Sequence, residues 1–146
     1  MIEAFRTIFS RDLERLKNEI ESFRNEENLW QIAGSVKNSP GNLCLHLTGN
    51  LRTYIGKNLG NTDYVRNREA EFNLKDIPRR ELTEQIISTQ ETVLATLATL
   101  QRADLDRIYP QNVLGYEMTT GHFLLHLSGH LAYHLGQINY LRRLLE

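Results

Sequence analysis

Between Thr119 and Glu146, apolar residues recur at steps of three and four: Leu124, Leu127, Leu131, Ile138, Leu141 and Leu145. The series has one gap, and His134 fills it. Such steps place side chains on one face of an α-helix, so the segment reads as a long amphipathic helix with a histidine inside its buried stripe. Thr119 and Thr120 supply a capping signal at its start. A helical stripe of this kind must be covered by other elements, and the chain offers three candidates.

The first helix is predicted from about Ile2 to Arg24, where Phe5, Phe9, Leu13, Leu16, Ile20 and Phe23 form one stripe. The second opens at Ser39-Pro40, a serine cap followed by proline at the first helical position. Its apolar face carries Leu43, Leu47, Leu51, Tyr54 and Ile55, and Gly60-Asn61 supplies the stop. The third starts near Asp76 and Pro78 and carries Leu82, Ile86, Val93, Leu97 and Leu100. Four amphipathic helices of similar length predict an all-α four-helix bundle. The polar link from Asn61 to Ile77 is too long for a tight turn, which lets the second and third helices run parallel. The link from Arg102 to Met118, with Pro110 and Gly115, can cross one end of the bundle. No repeat or second hydrophobic pattern appears, so residues 1–146 read as a single domain.

A formal net charge of -1 leaves no global basic field, so neither nucleic acid nor an anionic membrane is expected as a partner. No stretch approaches the roughly 18 uninterrupted apolar residues of a membrane span. Glu3 and Arg6 interrupt Met1 to Phe9, which lacks the apolar run of a signal peptide. Cys44 is the single cysteine, which excludes an internal disulfide and fits a reducing compartment. Together these features predict a cytoplasmic protein.

The histidines carry the chemistry. His122, His126, His130 and His134 each follow the last by four residues, and His46 alone lies in another helix. A four-residue step overshoots a full turn by about 40°. His134 therefore points inward, His130 lies at the inner margin, His126 is lateral and His122 is near solvent. His130 and His134, one turn apart, form a pair that can grip a metal ion from one side. His46 is the only histidine able to complete a three-imidazole site from a facing helix. Neutral imidazoles suit zinc, nickel, iron or copper, and three protein ligands leave positions open for water or substrate. A histidine in a core stripe is also often just a hydrogen-bonded core residue, and spacing alone leaves both readings open.

Two segments carry a family resemblance. His126-Leu-Leu-Ser-Gly-His130-Leu-Ala-Tyr-His134-Leu-Gly-Gln-Ile138 resembles the last helix of the DinB/YfiT-like superfamily, with its paired histidines followed by Gly-Gln-Ile. Asn42-Leu-Cys-Leu-His46-Leu-Thr-Gly-Asn50 resembles the family's second-helix motif. The resemblance spans nearly the whole chain and is closest to a subgroup of short members. It implies a bundle in up-down-down-up order, in agreement with the long Asn61 to Ile77 link. It also implies a divalent metal at His46, His130 and His134, with His126 in support. Some relatives are transferases or isomerases that use low-molecular-weight thiols such as bacillithiol, mycothiol or glutathione, so such a thiol is an implied cosubstrate.

A divalent ion held by neutral imidazoles keeps its full charge and can activate a thiol or water, which points to a thiol-dependent S-transferase or a hydrolase acting on a small molecule. The contrasting expectation is a non-catalytic bundle whose metal or histidines are structural, acting as a dimeric binding or stress-response module. Asn50 and Gln137 are candidates to hydrogen-bond the histidines, although both types are common as plain helix-surface amides. Cys44 points away from His46 and reads as a small buried or interfacial residue. The run containing Arg66, Arg68, Lys75, Arg79 and Arg80 alternates with acidic residues and reads as a solvated mixed-charge surface. Leu125, Tyr133, Leu135 and Tyr140 lie off the main stripe of the last helix, which favours a homodimer.

Overall fold

The computed structural model describes Met1–Glu146. Its helices are α1 (Ile2–Glu21), α2 (Pro40–Leu51), α3 (Arg68–Asn73), α4 (Arg79–Thr99), α5 (Arg102–Asp106) and α6 (Thr120–Leu145). The expected stripes interlock: Phe9, Leu13 and Leu16 of α1, Leu47 and Leu51 of α2, Leu82 and Val93 of α4 and Leu131 and Ile138 of α6 are all fully buried in one cluster. Burial of each such side chain stabilises the fold by roughly 1.5–3 kcal/mol.

Named contacts fix the helix directions. The Gln90 amide donates to the Ser10 carbonyl and the Arg79 guanidinium to the Phe23 carbonyl, so α1 and α4 are antiparallel. Asn139 and Arg142 bond Glu19, while Phe5 and Ile8 share a cleft with His122 and Leu125, so α1 and α6 are parallel. Arg52 reaches Gln85 and Thr89, and Gly60 backs onto Thr96, so α2 and α4 are parallel. His46 meets His130 and His134 while Tyr54 packs on Phe123, so α2 and α6 are antiparallel. The bundle is therefore up-down-down-up, and the link before α4 makes the crossover that this order requires.

The capping signals are used. Ser39 Oγ accepts from the Asn42 N–H at 3.2 Å, and Thr119 Oγ1 accepts from the His122 N–H at 3.2 Å. The first helix ends earlier than expected, at Glu21. Ser22 Oγ bonds back to the Asn18 carbonyl, and Asn25 then caps a 3-10 turn over Glu26–Trp30. Past Leu51, the second helix widens into a π turn over Arg52–Lys57 and stops at Asn61, whose φ is +53°.

The structure departs from an amphipathic reading of α2. All twelve of its residues are buried. The 3-10 turn and the crossover cover its outer face, with the Trp30 ring over Gly41 and the Glu71 carboxylate over Gly49. A Cβ at Gly41 would lie 2.7 Å from the Trp30 ring, so the glycine permits this approach. The absence of any charged residue from Pro40 to Leu51 is the signal for a helix buried all round.

The remaining links are partly regular. A single antiparallel bridge joins Ile108 to Thr119, and the buried Tyr109 hydroxyl donates to the Tyr54 carbonyl at 2.6 Å. No helix is long and apolar enough to cross a membrane.

Candidate metal centre

The antiparallel packing of α2 on α6 brings together the three histidines singled out from spacing. Each offers one ring nitrogen, and the three nitrogens lie within 4.8 Å of one another. His46 Nε2 is 3.2 Å from His130 Nε2. Two nitrogens at about 2.0–2.1 Å from one zinc ion with tetrahedral angles lie about 3.3 Å apart, so this spacing fits a shared metal. The ring centroids of His130 and His134 are 4.6 Å apart and those of His46 and His134 are 5.3 Å apart. His46 is buried and the other two are half-buried.

Hydrogen bonds define the state of the donors. His46 Nδ1 lies 3.1 Å from Glu71 Oε1. A carboxylate accepts only, so the proton sits on Nδ1, and in the neutral ring the lone pair is on Nε2. His134 Nδ1 donates to Gln137 Oε1 at 2.7 Å, which likewise leaves its Nε2 bare. With both rings neutral, His130 Nε2–H donates to His46 Nε2, and His130 Nδ1 is buried without a partner. An unpaired buried ring nitrogen is costly, and coordination through Nε2 would move the His130 proton to that position. The donor set thus fits a borderline-soft divalent ion.

Burial favours the neutral forms of His130 and His134. Burial, then the neighbouring His134, His46 and His126, push His130 down to about 3. Burial also lowers His134, an effect that the Gln137 hydrogen bond partly offsets. Burial alone would raise Glu71, but hydrogen bonds from His46 and Arg66 outweigh it and hold the carboxyl below its usual range.

Other expectations are confirmed or corrected by position. Gln137 does bond a site histidine, whereas Asn50 is buried with its Oδ1 unpartnered. His122 and His126 are exposed, and His126 stacks between Phe123 and His130. Cys44 is fully buried, and burial pushes its thiol up to about 12, far from a nucleophile's range. The mixed-charge run is not uniformly solvated. Arg66 Nε and Nη2 grip Glu71 at 2.8 and 2.9 Å, and the Glu71 side chain is only 6% exposed. Leu135 is not surface-exposed either, but packs partly against the core.

Glu71 and Arg66 were missed as site residues. Asn67, which caps α3 by accepting from the Ala70 N–H, is a local sign of the short helix that carries Glu71. Nothing local signals that α3 lands on His46.

A cleft of about 350 Å³ opens beside Gln137 and Leu43. Lys37, Tyr140, Leu141 and Leu144 also line it. None of the three histidines lines it, but Gln137 and Leu43 stand three residues from His134 and His46 on their helices.

A sequence profile described as the DinB superfamily matches residues 8–138. The chain belongs to the DinB superfamily. Its structure is similar to the crystal structure of a DinB-like protein from Bacillus cereus ATCC 10987, with a TM-score of 0.76 and 17% identity. That likeness covers 97% of this chain and 90% of the other, and at this identity it is a likeness of fold. No curated protein matches the chain. Within this DinB fold, the histidine cluster joins the two helices whose motifs carry the sequence resemblance.

Proposed function

We propose that this DinB-superfamily protein binds one divalent transition-metal ion, such as zinc, nickel or iron, through His46, His130 and His134. We propose further that it is a metal-dependent enzyme, a thiol S-transferase or a hydrolase. The observation that carries this reading is the convergence of three ring nitrogens, two of them with Nδ1 already committed to Glu71 and Gln137. When bound, such an ion lowers the pKa of a coordinated thiol or water and stabilises the resulting anion. Glu71 and Gln137 hold the His46 and His134 protons on Nδ1, away from the centre, and burial favours the neutral forms of His130 and His134. The cleft beside Gln137 suits a small, largely apolar substrate or a low-molecular-weight thiol, with Lys37 available to an anionic group. Nucleic acid and membrane have no part in this reading, and the expected site of action is the cytoplasm.

A homodimer belongs to the same proposal. Leu125, Tyr133, Tyr140 and Leu144 are each more than 60% exposed on α6, an apolar face that favours a second copy.

One observation favours a structural alternative: His46 and His130 already hydrogen-bond each other at 3.2 Å. A histidine network of this kind could stitch α2 to α6 in a non-catalytic binding module. Elemental analysis of untagged protein purified without chelator separates the readings. About one metal ion per chain, lost in His134→Ala, supports the metal centre. No metal after reconstitution with zinc, nickel or iron would leave the histidines structural and end the enzyme reading.

A further inference from the structure

We propose that Glu71 is the positioning residue of the His46 ligand, fixing the tautomer and rotation of its ring, so that the crossover helix α3 is part of the metal centre. The inference deepens the metal reading and rests on it for its functional meaning, but the geometry beneath it stands without a metal.

His46 has two ring nitrogens and only Nε2 faces His130. A neutral imidazole free in solution populates both tautomers, and a ligand must keep Nε2 unprotonated. Glu71 Oε1, 3.1 Å from Nδ1, makes that choice because it can only accept.

The carboxylate is itself held from several sides. Arg66 grips both of its oxygens in a fork. Gly49, one turn beyond His46 on α2, leaves the notch in which Glu71 lies, and a Cβ there would collide with Oε2. The Phe72 ring lies 5.0 Å from the His46 ring. The Asn42 amide donates to the Glu71 and Leu74 carbonyls at 2.9 Å each, tying the end of α3 to α2.

The guanidinium decides what Glu71 contributes. Its charge lies against the carboxylate, so the pair brings little net charge to the centre, and its effect on a ligand is orientation. Gly49 gives an independent handle on this contact. Alanine is the better helix former, so any loss on Gly49→Ala arises from displacing Glu71 and not from weakening α2.

The test uses two measurements on full-length protein: the His46 tautomer in metal-free protein by long-range ¹H–¹⁵N NMR, and zinc affinity by chelator competition. Wild type should show His46 protonated at Nδ1 alone. Folded Glu71→Ala and Gly49→Ala should both shift His46 toward a tautomer mixture and weaken zinc binding by about 10–100-fold. An unchanged His46 tautomer in either folded variant overturns the proposal, as does zinc affinity within about twofold of wild type where wild type binds zinc. If wild type binds none of zinc, nickel or iron, the metal reading fails, and the tautomer measurement still decides the role of Glu71.

Discussion

His46 Nε2 lies 3.2 Å from His130 Nε2 although 84 residues separate them in the chain. The contact joins α2 to α6, the two antiparallel helices on which every ring of the cluster sits. Neither helix alone can assemble three donors with this convergence, so the site is a product of the tertiary fold.

The proposed ligand set predicts a sharp contrast among histidine variants. His46→Ala, His130→Ala and His134→Ala should each reduce bound metal from about one ion per chain to a small fraction of that. His122→Ala should leave it unchanged, because His122 is exposed and faces Tyr116, with ring centroids 6.2 Å apart. Elemental analysis of the four variants side by side checks this. Metal lost in His122→Ala but kept in His130→Ala would refute the register.

Acid should destabilise the metal-free protein. His130 is pushed down from 6.5 to about 3 in the folded state, so below 6.5 the unfolded chain binds more protons. The stabilisation is full above pH 6.5 and is lost as pH falls from there toward about 3. His134, also lowered, acts in the same direction, and the lowered Glu71 adds a loss below its ordinary value of 4.5. Urea midpoints in chelator should fall between about pH 7.5 and 4.5, and less steeply in His130→Asn. Equal slopes for the two proteins would count against a buried, neutral His130.

These two predictions draw on features of unequal legibility. The bundle could be read because its signals are local: the stripes of α1, α4 and α6 and the caps at Ser39 and Thr119 lie within a few residues of what they control. The His130–His134 register could be read because helical drift is a fixed angle. Glu71 could not, since its partners His46 and Gly49 lie more than twenty residues earlier, and Arg66 to Glu81 looks like any solvated charge run. The envelopment of α2 was half legible: its lack of charge was in plain view, but its covering by Trp30 and α3 depends on the path of two links. Asn50 shows the opposite failure, a polar side chain one turn from His46 that makes no bond to any histidine.

Leu131 follows His130 and is fully buried. Leu131→Ala should lower stability by about 2–5 kcal/mol, combining lost burial with the cavity left behind. The urea midpoint reads this directly, and a loss under about 0.5 kcal/mol would mean that the α6 stripe is not core.

Gly129 and Gly136 lie on the outer face of α6, where an added Cβ meets nothing within 4 Å. In the isolated chain, Gly129→Ala and Gly136→Ala should each stabilise by up to about 1 kcal/mol through helix propensity. If α6 pairs closely with a second copy, the same changes should weaken that dimer. Thermal unfolding at low concentration and sedimentation at high concentration give the two readouts, and a neutral result in both would discount the glycines as a contact surface.

The crossover that makes α2 and α4 parallel also carries Arg66, Arg68, Glu71 and Lys75. If its order helps His46 to hold a metal, thermodynamic reciprocity requires that the metal help to hold the crossover in order by the same free energy. Occupancy of the centre would then be visible far from any chemistry, as slower tryptic cutting after Arg66, Arg68 and Lys75. The segment that looks most like a passive connector would report whether the site is filled.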